Sequence, residues 1–165
     1  LYMDYDFVTG KPAAFPYITT FYPLWAHAAS PQPADAVRGH LTIFERPGGL
    51  AMDNHPSGAQ WDAPFGWAPA NWLAVSGLEA NGFQADARRI AGKFCATVDR
   101  GVAADGTIRE KYNMVLGNAD VHISAGYTQN VVGFGWTNGV YLKLQEILRG
   151  DTTPASSTSA DNVMK

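Results

Sequence analysis

Ten residues, Gln60 to Pro69 (QWDAPFGWAP), place an amide, a carboxylate and two indoles on a stretch of backbone interrupted by two prolines and a glycine. Such a set suits a sugar. Trp61 and Trp67 offer flat apolar faces to a pyranose ring, and Gln60 and Asp62 can hydrogen-bond its hydroxyls. A backbone stiffened by proline holds these groups better than a flexible one does. The same residue types equally suit a core-lining turn in which the tryptophans only fill space.

Other reactive residue types carry weaker signals. Cys95 is the single cysteine, so an internal disulfide is excluded, and it falls on the apolar side of a helical stripe, where core packing is the expectation. His27, His40, His55 and His122 show no H-x-x-x-H or comparable spacing, so no metal centre is expected.

The elements that must position these groups read as helices joined by long glycine- and proline-rich loops. Ala87, Ile90, Ala91, Phe94, Cys95 and Val98 recur at three-and-four spacing and predict a helix over Gln84 to Arg100. Val37, Leu41 and Phe44 predict a second, with Pro33 in its first turn and Pro47-Gly48-Gly49 as its stop. Val140, Leu144, Ile147 and Leu148 predict a third, ended by Gly150. Weaker helices are expected over Thr20 to Ala29 and over Pro69 to Asn81, the latter with Gly82 as its stop. In the segment GFGWTNGV, Gly133 and Gly135 would let backbone pass close to a neighbour, and Thr137 or Asn138 would cap the following helix.

No segment alternates apolar and polar residues for long, so the fold class is all-α, without an extended sheet. The stretches Pro47 to Pro69 and Gly101 to Gly135 are too long for simple connectors, which marks them as functional. Residues 151–165 lack large apolar groups apart from Val163 and Met164, and are expected to form a mobile polar tail. A formal net charge of −3 with twelve scattered basic residues argues against a nucleic-acid surface, and no apolar run is long enough to cross a bilayer. Five tryptophans and seven tyrosines are many for 165 residues, but helical cores use such rings as readily as sugar sites do.

The segment QWDAPFGWAP resembles the second signature of the trehalases, glycoside hydrolase family 37, at every fixed position of the pattern QWD-x-P-x-GW-x-P. Further matches follow in the family's order: PGGLA at Pro47 to Ala51, REKYN at Arg109 to Asn113 and GFGWTNGV at Gly133 to Val140. The opening DYDF at Asp4 to Phe7, followed by FYPLWA at Phe21 to Ala26, is also similar. The resemblance covers the chain to about Leu148 and implies that residues 1–150 are the C-terminal part of a far longer (α/α)6 barrel domain. A third of such a ring leaves apolar faces uncovered, so the N-terminal portion is expected as a companion polypeptide.

For function, the resemblance implies inverting hydrolysis of trehalose by two carboxyl groups, with no metal or organic cofactor. The family's general base is the glutamate of its E-K-Y motif, which falls on Glu110. On the residues alone, Glu110 could simply pair with Arg109 or Lys111 on a surface turn. As a base it should stand partly exposed in a deep acidic pocket. The general acid is an aspartate of an earlier motif, absent here, and Asp62 belongs to a different motif. Gln60, Trp61, Asp62, Trp67, Tyr127 and Trp136 are the expected substrate-binding residues, Asp62 in a structural or sugar-facing role. One departure stands out. Where trehalases carry a further glutamate in a glycine-rich loop, this chain reads VHISAGYTQN, so Tyr127 or Gln129 takes that role or it is missing. A related glucoside is therefore an alternative substrate, and a carbohydrate-binding module or an inactive homologue are alternative functions. Bacterial members of the family are commonly periplasmic, which makes export plausible although the chain itself shows no leader.

Overall fold

The computed structural model describes residues 1–150; the expected tail, 151–165, lies outside the described residues. The chain opens with a short hairpin, β1 (Tyr5–Asp6) against β2 (Lys11–Pro12). A 3-10 turn over Ile18–Phe21 then runs into α1 (Tyr22–Trp25). The helix expected over Thr20 to Ala29 is thus two shorter pieces. Its continuation is cut where His27 takes φ 54, a left-handed conformation that no helix accommodates.

Next come α2 (Pro31–Arg38), β3 (Glu45–Arg46) and β4 (Gly49–Leu50). Here the expected single helix is corrected. It starts at Pro31, ends at Arg38, and is followed by a separate 3-10 turn over Leu41–Ile43. The His40 ring Nδ1 lies 2.7 Å from the Ala36 carbonyl, taking an oxygen that a continuing helix would have used. Val37, Leu41 and Phe44 are nonetheless all buried, so their spacing reported a shared inner face and not one unbroken element.

The remaining elements are β5 (Phe65–Trp67), α3 (Ala68–Ala80), α4 (Gln84–Asp105), β6 (Lys111–Asn113) and α5 (Gly135–Arg149). Pro69 sits in the first turn of α3, where its missing N–H costs nothing. At the far end Asn81 closes the helix, its side-chain amide donating to Gly77 O (2.8 Å) and Leu24 O (3.2 Å). The predicted stripe of α4 is buried throughout, but the helix runs on past Arg100 to Asp105 and stops only where Gly106 takes φ 75. α5 begins at Gly135 with Phe134 as its N-cap residue and no side-chain cap, so neither Thr137 nor Asn138 caps it. Nothing lies within 4 Å of where a Cβ would stand on Gly133 or Gly135, so the expected close backbone approach is absent; Gly133 is needed for its φ of 76.

α3 packs on α1 and α4, and α5 packs across α4 and α3. Ile90, Phe94 and Val98 of α4 meet Ala74, Val75 and Leu78 of α3, with Leu144 and Ile147 of α5, in one buried cluster. Arg88 of α4 ties down the end of α5 by donating to the carbonyls of Ile147 and Leu148, each at 2.5 Å. Glu45 ties β3 to α4 through Arg89 (2.9 Å) and Lys93 (2.7 Å). Among the described residues the strands form only three antiparallel pairs, β1–β2, β3–β4 and β5–β6. No helix of the described residues is long and apolar enough to cross a membrane.

Candidate active site

The third strand pair joins the motifs. β5 carries Phe65, Gly66 and Trp67, and β6 carries Lys111, Tyr112 and Asn113; they run antiparallel with Trp67 opposite Lys111 and Gly66 opposite Tyr112. Residues 44 apart in sequence, Trp67 and Lys111, therefore become neighbours. β5 also lies tightly on β4. A methyl group on Gly66 would stand 2.5 Å from Leu50 O and 2.5 Å from Met114 Cγ, so only glycine permits the contact. Leu50 is fixed in turn by buried Asn71, which accepts from its N–H (2.8 Å) and donates to its carbonyl (3.0 Å).

Glu110 precedes β6. Its N–H donates to Val131 O (2.8 Å), and its carbonyl accepts from the Thr137 hydroxyl at the start of α5 (3.3 Å). The GFGWTNGV segment thus touches the REKYN segment through Glu110. The carboxylate accepts from the Lys111 ammonium at 2.7 Å through Oε2. Arg109 pairs instead with Asp105 and with Asn130 O. The Glu110–Lys111 pair is no surface turn, since Lys111 is wholly buried and Glu110 is only 6% exposed. Nor does Glu110 have the partial exposure in a deep acidic pocket expected of it. The stretch 127–131 covers its partner Lys111: the Tyr127 ring lies over the Lys111 ammonium, Gln129 O accepts from that ammonium, and Asn130 brackets the Lys111 backbone.

The aromatic residues divide their roles. Trp61 stacks on Trp67 with centroids 3.8 Å apart and planes 4° from parallel. The Lys111 ammonium lies 5.0 Å over the Trp67 ring, and Trp136 meets it edge-on at 5.6 Å. With neighbours on its faces and edge, Trp67 is 2% exposed and offers no platform to a sugar, correcting the role expected for it. Trp61 keeps an open face. Trp136 opens on a cleft of about 640 Å³ between α3 and α5, lined also by Trp72, Leu73 and Val140. Tyr127 is half exposed above Lys111, and Gln129 contributes its backbone carbonyl to the lysine.

Trp61 and Asp62 face a separate groove of about 470 Å³, completed by Phe15, Tyr17, Asp53 and His55. Asp62 is buried and accepts both the N–H (2.6 Å) and the hydroxyl of Ser57 through Oδ2. Its Oδ1 and the Oε1 of Gln60 have no hydrogen-bond partner among the described residues. Tyr17 donates to Trp61 O at 2.5 Å, and burial together with the Asp53 charge pushes its phenol up to about 12. Glu110 does not line this groove. Phe15, Tyr17, Asp53 and His55 escaped the sequence reading because they join the QWD loop only through folding; the stacked Phe15 and His55 rings, 5.3 Å apart, come from two separate proline-containing loops.

The sequence matches the family model for trehalase over residues 1–148. It is 40% identical over 147 residues to the periplasmic trehalase of Pseudomonas aeruginosa, covering 87% of this chain and 26% of that protein. It is 33% identical over 177 residues to the cytosolic neutral trehalase of Beauveria bassiana, covering 96% of this chain and 24% of that one. The chain thus spans about a quarter of the length of these curated relatives. Among solved structures, neutral trehalase of Saccharomyces cerevisiae superposes with a TM-score of 0.74 at 29% identity, over 88% of this chain and 26% of that one. A mannosylglycerate hydrolase of Thermus thermophilus shares the fold, with a TM-score of 0.66 at 23% identity, over 87% of this chain and 32% of that one. With its motifs in order and the match running through nearly all of its length, the chain belongs to the trehalase family.

Proposed function

We propose that this chain is the C-terminal part of an inverting glycosidase that splits trehalose into two glucose molecules, with Glu110 as its general base. The convergence on Glu110 supports this most: β6 brings it beside the QWD-x-P-x-GW strand, and Thr137 of GFGWTNGV holds its carbonyl. In the reaction, Glu110 takes a proton from a water as the water oxygen attacks the anomeric carbon. An acid on the other side of the sugar protonates the glycosidic oxygen as its bond to that carbon breaks. Lys111 occupies Oε2 and leaves Oε1 for the water. The two carboxyl groups then stand roughly 6.5–9.5 Å apart.

The acid and the rest of an (α/α)6 barrel come from an N-terminal portion, with which this chain must combine to be active. The chain's share of its relatives' length and the exposed apolar cleft between α3 and α5 favour this reading. Trp61 and Gln60 contact substrate, while Asp62 holds the loop through Ser57. Relatives are named both periplasmic and cytosolic, and the periplasm is the compartment proposed here from the Pseudomonas aeruginosa match.

The test is the anomeric form of the first products, followed by proton NMR with the complete enzyme. Inversion releases one β- and one α-glucose per trehalose. Two α-glucose molecules would refute the mechanism, and no release of glucose from trehalose would refute the substrate.

A further inference from the structure

Lys111 is the only wholly buried lysine among the described residues, and burying an ammonium is costly unless its charge and its donors are met. Two of its three donors reach Glu110 Oε2 and Gln129 O, both at 2.7 Å, and the Trp67 and Tyr127 rings lie 5.0 and 4.8 Å away. This is a cage for one cation, built from three separate segments. Consecutive residues on a strand project to opposite faces, so an adjacent glutamate and lysine do not pair by default. Glu110 lies just before β6 begins, where its carboxylate can turn back onto Lys111.

We propose that Lys111 is a positioning residue for Glu110. The cage holds the ammonium still, and the ammonium holds Oε2, so that Oε1 presents one lone pair to the hydrolytic water. Trp67 and Tyr127 act as walls of the cage and reach the reaction through Lys111. This rests on the reading of Glu110 as the base.

The experiment is a double-mutant cycle in the complete enzyme. Lys111→Met leaves the carboxylate in place without its anchor and lowers kcat about 10- to 100-fold with KM changed less than about threefold, as misplacement of a reacting group does. Lys111→Arg keeps the charge and recovers part of the loss. In the Glu110→Gln background, Lys111→Met costs less than about threefold, because its effect passes through the carboxylate already removed. The proposal is overturned if folded Lys111→Met keeps kcat within about threefold, or if its fold-loss is the same in both backgrounds. Should Lys111→Met not fold, Tyr127→Leu opens one wall at a half-exposed position; a fall in kcat of about 3- to 10-fold at steady KM supports the cage, and unchanged kcat overturns it. Near-normal turnover in Glu110→Gln overturns the base assignment and this proposal together. Lost turnover in Glu110→Gln with normal Lys111→Met overturns the proposal alone.

Discussion

Replacing Gly66 by alanine adds one methyl group to the strand that carries Trp67, at a point where the packing leaves no room for it. That methyl would stand 2.5 Å from Leu50 O and 2.5 Å from Met114 Cγ. Both gaps are roughly 1 Å short of ordinary van der Waals contact. The neighbours on either side are tied. Leu50 is held at both N–H and carbonyl by Asn71, while the Met114 backbone accepts from Gly48 N and donates to Pro64 O, each at 2.8 Å. β5 must therefore give way, at a cost of about 1–3 kcal/mol for overpacking. Trp67 is the next residue and lies opposite Lys111, so the shift passes to the Glu110–Lys111 pair. A displacement near 1 Å at a reacting group lowers kcat on the order of 100-fold. Thermal melting and steady-state kinetics of the complete enzyme measure both effects. Gly92→Ala is the control: its methyl would meet nothing nearer than Leu148 Cδ2 at 3.9 Å. In a helix interior that change should be neutral or stabilise by roughly 0.5–1 kcal/mol. Gly66→Ala with the melting temperature and kcat of the parent would refute this chain of reasoning.

Three further outcomes concern the buried groups. Asn71→Ala strands the N–H and carbonyl of Leu50, and at about 1–3 kcal/mol for each unmet group it destabilises by roughly 2–6 kcal/mol; a denaturant midpoint that does not move contradicts this. On the alkaline side, burial, reinforced by the charges of Asp53 and Asp99 respectively, pushes the Tyr17 phenol and the Cys95 thiol up to about 12. Both groups are neutral in the folded protein at pH values where the unfolded chain ionises them. Their contribution to stability is thus complete below about pH 9 and is lost as pH rises towards 12. Melting temperatures across that range should fall, and Cys95 should react with a disulfide reagent far more slowly in folded than in unfolded protein. Equal thiol reactivity in the two states would contradict the burial argument.

The long helices were legible because periodicity is local. The stripe from Ala87 to Val98 needs no other part of the chain to be recognised, and it is buried as read. The same spacing misled at Val37, Leu41 and Phe44, because a helix followed by a 3-10 turn can place three residues on one inner face as well as one helix can. In the candidate site, the proposal of Glu110 rests on motif order, and those of Trp61 and Asp62 on residue type. Trp67 was misjudged: its faces are taken by Trp61 and by Lys111, and the strand register that delivers Lys111 is set 44 positions away. Lys111 itself gave no signal as a separate group, since a lysine beside a glutamate looks like solvated surface until the cover supplied by residues 127–131 is known.

If Glu110 activates the water, Glu110→Gln in the complete enzyme removes the base and little else. The amide keeps the shape and loses the basicity. Trehalose turnover should fall by about 100- to 10,000-fold, the usual share of a general base, while trehalose still binds within a few-fold of the parent affinity. Turnover within about tenfold of the parent enzyme would contradict that role for Glu110.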